Sequence, residues 1–276
     1  MFLGYNTNGL VHHDLVAAIE LLAEMGYRGV GISLDVGQLN PYADQFPSEL
    51  SRVGEALSDC GMQSAIETGA RYLLDPRIKH EPTLLSPDGA SRARRIDFLQ
   101  RSIDIAAVLD SHCVTLFSGV LRDDVSRDDA LQRLCGALRP VVEHAVQQGV
   151  QLGFEPEPGM FIETMADFAE LRQQMNADCF QLTLDVGHLL CTSETPIADR
   201  IRQWKDYLIN VHIEDMRVGV HEHLMFGEGD MAFPPIFGAL AEIDYEYGVY
   251  VELSRHSHVG PKVARQSHHY LVNQLP

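Results

Sequence analysis

Four polar residues stand where short apolar runs end in the second half of the chain. Leu152-Gly153-Phe154 runs into Glu155 and Leu182-Thr183-Leu184 into Asp185; Leu208-Ile209-Asn210-Val211 reaches His212, and Val249-Tyr250-Val251 reaches Glu252. One Asp or Glu at such a place is commonly a helix cap or a solvated loop residue. Four in register, separated by 30, 27 and 40 residues, carry more. Three carboxylates crowded together repel one another, and one takes up a proton unless a cation neutralises them. The set of three oxygen donors and one imidazole suits one divalent cation, Mn²⁺ first, with Co²⁺, Mg²⁺ or Zn²⁺ as alternatives, and it lacks soft thiolates. An ion chelated by a ketone oxygen and a neighbouring hydroxyl acidifies the adjacent C–H. Glu155 and Glu252 are then the acid/base pair, one removing the proton and the other returning one to the opposite face. The expected chemistry is isomerisation or epimerisation of a small hydroxy-ketone or aldose through an enediolate. The same enediolate expelling a β-hydroxyl makes a dehydratase, and the residues do not separate these outcomes.

Further polar residues follow each of these positions. His188 lies three residues after Asp185 in Asp185-Val186-Gly187-His188 and is expected to point into the cavity as a substrate contact. Arg217, five residues past His212, is a plausible anchor for a substrate oxygen. Glu157 follows Glu155 beyond Pro156, with a supporting or loop role as open as a catalytic one. The stretch from His212 to Asp230 is dense in polar groups, including His221-Glu222-His223 and Gly227-Glu228-Gly229-Asp230, and reads as a functional loop. His223 is taken as a substrate contact, with a second metal as the other reading. Metal-dependent phosphoester hydrolysis would need two or three ions, and His221, His223 and Asp215 are the extra ligands available for it. A barrel retained as a non-enzymatic binding module is the remaining alternative.

These residues must be positioned by repeating elements. Short β-rich runs are expected at Phe2 to Asn6, Gly29 to Ser33, Met62 to Glu67, Cys113 to Phe117, Val150 to Phe154, Phe180 to Leu184, Leu208 to Val211 and Gly248 to Val251. Between and after them lie helical patterns: Asp14 to Met25, Ser48 to Asp59, Ser91 to Leu109, Arg127 to Gln148, Met165 to Met175, Pro196 to Lys205, Pro235 to Ile243 and Pro261 to Leu271. Pro140 predicts a kink or break in the fourth helix. Parallel strands need crossover helices, so this alternation implies a parallel sheet. Eight units spread over 276 residues with no linker suit one (β/α)₈ TIM barrel domain, residues 1–276. Its C-terminal rim would hold all four site residues. An open doubly wound sheet would want a glycine-rich turn after the first strand, and Asn6-Thr7-Asn8-Gly9 is not one.

Composition narrows the partners. The formal charge of −18, from 21 basic and 39 acidic residues, opposes a nucleic-acid partner. No apolar run approaches a membrane span, and the N-terminus lacks the pattern of a secretory signal. The five cysteines form no C-x-x-C pair, which favours reduced thiols and a cytoplasmic setting, with Cys113 and Cys179 as small hydrophobes. With no glycine-rich phosphate cradle in view, and Glu228 in a turn where a phosphate would be repelled, the expected partner is an uncharged or weakly charged sugar or keto-polyol. A homo-oligomer is left open.

Phe154-Glu155-Pro156, Asp185-Val186-Gly187-His188, Val211-His212-Ile213-Glu214-Asp215, Gly227-Glu228-Gly229-Asp230 and Val251-Glu252, taken in this order, resemble the xylose-isomerase-like TIM barrels, the sugar phosphate isomerase/epimerase family. The resemblance spans essentially the whole chain. It implies metal ligation by Glu155, Asp185, His212 and Glu252, acid/base roles for Glu155 and Glu252, and substrate contacts from His188 and Arg217. The stretch Pro156-Glu157-Pro158-Gly159-Met160 departs from the ketose 3-epimerases, which follow their first metal glutamate with a different loop. The family also holds hydroxypyruvate isomerases, inosose and dehydroshikimate dehydratases and endonucleases of the endonuclease IV type. Membership therefore bears on scaffold and metal more than on the reaction.

Overall fold

The computed structural model describes residues 1–275. Three strands open the chain, β1 (Phe2–Asn6), β2 (Gly29–Ser33) and β3 (Gln63–Glu67), each followed by a helix: α1 (Leu15–Glu24), α2 (Phe46–Cys60) and α3 (Gly89–Leu109). Then come β4 (Val114–Leu116), α4 (Arg127–Gln148), β5 (Leu152–Phe154), α5 (Met165–Met175) and β6 (Phe180–Asp185). Two short helices, α6 (Val186–Cys191) and α7 (Ile197–Gln203), precede β7 (Leu208–Ile213). A hairpin of β8 (Asp215–Arg217) and β9 (Val220–Leu224), helix α8 (Phe233–Glu242), strand β10 (Gly248–Val251) and helix α9 (Gly260–Val272) complete the chain. The sheet closes in the order β1-β2-β3-β4-β5-β6-β7-β10 and back to β1, with every pair parallel. This is the (β/α)₈ barrel expected from the alternation of strands and helices.

Alternation along the strands divides the core in two. Leu182, Leu184, Val211, Ile213, Val249 and Val251 join the large apolar layer packed between barrel and helices. Inside the barrel a small cluster of Phe2, Ala65, Cys113 and Tyr250 fills one end. The Tyr250 ring is admitted because β1 offers no side chain against it: a Cβ on Gly4 would lie 2.3 Å from the ring. Phe2 meets Tyr250 edge-on at 6.3 Å between centroids. Above this plug the inward positions turn polar, through Asn6, Glu67, Thr183, Asn210 and His212, all buried.

The helices begin where the sequence supplies side-chain acceptors for otherwise unpaired amides. Asp14 accepts from Val16 and Ala17 N–H, Ser126 from Asp129 N–H, and Thr164 with Asp167 forms a reciprocal capping box. Helix α4 runs through Pro140 without the break the sequence suggested. Proline removes one helical hydrogen bond there, and the buried Leu138, Val141 and Val142 hold the segment against the core. Two strands also run further than expected, so Asp185 and His212 are strand residues and pair with each other in register. Among the described residues, no helix is long and apolar enough to cross a membrane.

Candidate metal centre at the barrel mouth

Glu155 and Glu252 each follow the last residue of a barrel strand, while Asp185 ends β6 and His212 lies in β7. One ligand atom from each of the four lies within 4.8 Å of all the others. His212 Nδ1 stands 3.1 Å from Glu155 Oε1 and 3.3 Å from Glu252 Oε2. Its other nitrogen, Nε2, lies 3.1 Å from Glu67 Oε1. With Nε2–H donating to Glu67, Nδ1 is the nitrogen turned to the two glutamates, the one that would give up its hydrogen to bind a cation, and this is the arrangement that orients a metal-binding histidine. Glu67 in turn accepts from the Thr115 hydroxyl, and Asn8 Nδ2 donates to Glu252 Oε1 at 2.9 Å.

Asp185 serves two ends. Its Oδ1 accepts from His188 N–H at 2.9 Å and so caps α6, whereas the buried Oδ2 has no hydrogen-bond partner. The cap reading and the ligand reading thus fall on different oxygens of one carboxylate. A buried oxygen without a donor beside two further carboxylates fits a cation, which can satisfy all of them at once.

The electrostatics carry the same mark. Burial, opposed by His212 and reinforced by Glu252 and Asp185, pushes the Glu155 carboxyl up to about 7. Burial would raise Asp185 and Glu252 as well. Asp185 is instead held below the usual carboxylate range by His188, His223 and His212, and Glu252 by His212 and His223. Burial works against a charged His212, yet Glu67 and Glu155 hold it well above the ordinary histidine value. These side chains need positive charge that the chain itself supplies only through imidazoles.

The cavity above the cluster has a volume of about 320 Å³ and is lined by Asn8, Glu67, Glu157, His188, His221 and His223 among others. That lies at the small end of the about 300–1,000 Å³ usual for ligand pockets. His188 is buried and His223 half-buried, so both expected contacts reach this space. Arg217 does not. It ends β8 opposite exposed Val220, is itself exposed, and donates to the Glu228 carbonyl at 3.3 Å. The hairpin turn carries Arg217 away from the mouth, and sequence separation from His212 could not reveal that turn. The cations lining the cavity are Arg71, Lys79 and Arg255. Arg71 lies 3.6 Å from Asp35, and Arg255 pairs with Glu222 at 2.5 Å.

Two further expectations change. Asp215 is not free to bind metal: its carboxylate accepts from the amides of Gly227, Gly229, Met216 and Met231 and thereby shapes the loop after β9. Glu228 in that loop faces a separate groove beside α9, not the cavity. Sequence reasoning also passed over Glu67, although Ala65-Ile66-Glu67 repeats the signal of an apolar strand ending in a carboxylate. Glu214 was missed too. It is fully buried with neither oxygen bonded, and burial, with Asp185 and Glu252 nearby, pushes its carboxyl well up. A Cβ on Gly187 would come within 1.9 Å of Glu214 Oε1, so the glycine of Asp185-Val186-Gly187-His188 makes room for this group.

A family model described as "Xylose isomerase-like TIM barrel" matches residues 19–274. The chain belongs to this family. Within the xylose isomerase-like barrels it is similar to the inosose dehydratase of Lacticaseibacillus casei, 26% identical over 142 residues that cover 45% of this chain and 47% of the relative. It is also similar to the L-ribulose-5-phosphate 3-epimerase of Salmonella typhi, 23% identical over 160 residues covering 58% and 56%. The chain thus spans about half the length of these curated relatives. Among solved structures, D-allulose 3-epimerase from Methylomonas sp. superposes with a TM-score of 0.79 at 17% identity, over 100% of this chain and 98% of that one. The 3-keto-D-glucoside 4-epimerase of E. coli gives 0.81 at 17% identity over 99% of both chains. At these identities the structural likeness speaks for the xylose isomerase-like fold.

Proposed function

We propose that this protein is a divalent-metal-dependent isomerase or epimerase of a small, uncharged hydroxy-ketone or its aldose isomer. The observation that carries the reading is the convergence of Glu155, Asp185, His212 and Glu252 within 4.8 Å, three of them (Glu155, His212 and Glu252) lining a small polar cavity. We expect these four to hold one ion, Mn²⁺ first. When bound, such an ion polarises a substrate carbonyl and acidifies the neighbouring C–H.

The chain's own groups do the rest. Glu155 and Glu252 flank Asp185 and His212 around the barrel, so they reach a reacting carbon from different sides. Asn8 fixes one oxygen of Glu252 and leaves the other turned to His212 and the cavity. His188 and His223 donate their Nδ1–H groups to the Pro156 and Glu252 carbonyls and present Nε2 lone pairs to which a substrate hydroxyl can donate. Of the charged residues lining the cavity, Asp35, Glu67, Glu155, Glu157 and Glu252 outnumber Arg71, Lys79 and Arg255, and only Lys79 of those cations has no carboxylate partner among the described residues. This balance disfavours a phosphorylated substrate. The site's activity suits a cytoplasmic enzyme, since Cys113, Cys135 and Cys179 are free and buried.

The test is incubation of the Mn²⁺-loaded protein with ketoses, aldoses, keto-inositols and short hydroxy-keto acids in D₂O, with mass and proton spectra of the products. A changed stereocentre identifies epimerisation, carbonyl migration isomerisation, and loss of water the dehydratase form of the same chemistry. Cleavage of a phosphodiester with no reaction across the sugar panel would overturn the proposal.

A further inference from the structure

The cavity has a wall that takes no part in the carboxylate cluster, built by the loop between β3 and α3. In the closed order of the barrel β3 stands opposite β7, so this loop faces the cluster across the mouth. Two of its cavity-lining residues, Ala70 and His80, hold left-handed backbone, with φ of 50° and 67°. Neither is glycine, and a side chain in that region costs energy unless its surroundings fix it there. At His80 they do. Its N–H donates to the Arg71 carbonyl and its own carbonyl accepts from Arg95 Nη2, both at 2.6 Å. Arg95 is buried, and its Nε and Nη1 donate to the Pro82 and Thr68 carbonyls at 2.8 and 2.9 Å. A permanently charged group is thus placed inside the protein to hold one stretch of loop backbone. The His80 ring is set as firmly. Its Nδ1 lies 2.6 Å from the Gly69 carbonyl, and the ring meets Phe117 edge-on at 5.9 Å between centroids. A carbonyl only accepts, so Nδ1 carries the hydrogen and Nε2 is bare. Burial, with Lys79, Arg95 and Arg71 nearby, brings the imidazole down to about 4, and the ring is neutral at neutral pH.

We propose that His80 is a specificity-determining contact, its Nε2 accepting a hydrogen bond from a substrate hydroxyl beyond the reacting carbons. Nε2 has no partner among the described residues, and His80 lines the cavity. The four residues of the cluster come from β5, β6, β7 and β10 and the positions just after them, whereas His80 belongs to the other half of the rim. One end of a substrate cannot serve both. The substrate class is therefore a longer polyhydroxy ketone or a keto-polyol ring, and not a three-carbon hydroxy-ketone. A bare imidazole nitrogen takes a hydroxyl hydrogen and offers nothing to an anionic oxygen, in keeping with an uncharged substrate. Asp35 and Arg71 on the same side of the cavity lie 3.6 Å apart and balance each other. The inference rests on the function proposed above, and it adds where the remote part of the substrate is held.

The experiment is nitrogen NMR of the Mg²⁺-loaded, diamagnetic protein carrying ¹⁵N-labelled histidine. The His80 signals are assigned by their absence from His80→Asn, a substitution chosen because asparagine tolerates left-handed backbone and its shorter side chain stops short of the Nε2 position. Ketohexoses and keto-inositols are the long probes, and dihydroxyacetone is the short one. In the free protein His80 Nε2 should show the shift of an unprotonated nitrogen. A long probe should move that signal upfield, as acceptance of a hydrogen bond does, and dihydroxyacetone should leave it in place. His80→Asn should bind the same long probe about 3–10-fold more weakly, the worth of one neutral hydrogen bond, with dihydroxyacetone binding unchanged. A long probe that shifts His188 and His223 but not His80 overturns the contact and leaves the proposed function standing. So does a hydrogen on Nε2 in the free protein, or a response to dihydroxyacetone as large as to the long probes. If no probe moves any of the three histidines, the proposed function fails and the contact falls with it.

Discussion

Glu155 and Glu252 occupy a site short of positive charge, and this decides what their removal does. Glu155→Gln and Glu252→Gln should each lower kcat by about 10²–10⁴-fold, the usual worth of a positioned acid or base. Glu155→Gln also deletes a buried carboxylate whose charged form is disfavoured by burial and by Glu252 and Asp185 beside it. Metal-free Glu155→Gln should therefore melt at or above the wild-type temperature in calorimetry, and a fall of several degrees would mean that this side chain holds the fold together. Glu252→Gln, which removes a charge held by His212 and His223, should instead melt lower. Glu67 tests a different step. It touches His212 on the face turned away from the cluster, so Glu67→Gln should weaken metal binding by about 10–100-fold. Isothermal titration with Mn²⁺ measures this directly, and an unchanged affinity would remove Glu67 from its positioning role.

At the scale of elements, α6 and β7 are locked together through one missing methyl group. Gly187 on α6 leaves space for the carboxyl of Glu214, which follows β7 and lies beneath the helix. Gly187→Ala forces one of them to move and should cost about 1–3 kcal/mol, the usual penalty of overpacking. In a Glu214→Ala background the same substitution should cost much less. Urea denaturation of the four proteins of the cycle checks this, and additive penalties would show that the two residues do not meet. The example also shows what was legible in the chain. The four members of the candidate metal cluster could be picked out because each follows an apolar run of strand length, a signal that survives without knowledge of any neighbour. Arg217 could not be placed, because its direction depends on a hairpin turn at Val218 and Gly219 whose flanking strands were not foreseen. Glu214 was hidden for a related reason. Its role rests on a glycine 27 positions earlier, a contact that only the packed fold creates. Helix α6 itself is six residues long, too short for an amphipathic period to show.

On the scale of the whole molecule, a formal charge of −18 means that the folded surface repels itself. Raising salt from about 0.01 to 0.15 M shortens the screening length from about 30 to 8 Å. The melting temperature of the metal-free protein should rise over that interval and then level off; a steady fall would point to stabilising ion pairs as the larger effect. The barrel interior bears on kinetics in another way. Phe2, Ala65, Cys113 and Tyr250 stopper the end opposite the site, so whatever enters the cavity leaves by the door it came in. Product and substrate must then take turns at a single opening. The reverse reaction starts from the same bound position as the forward one, and product accumulating in solution should act as a simple competitor, raising the apparent KM and leaving the limiting rate untouched.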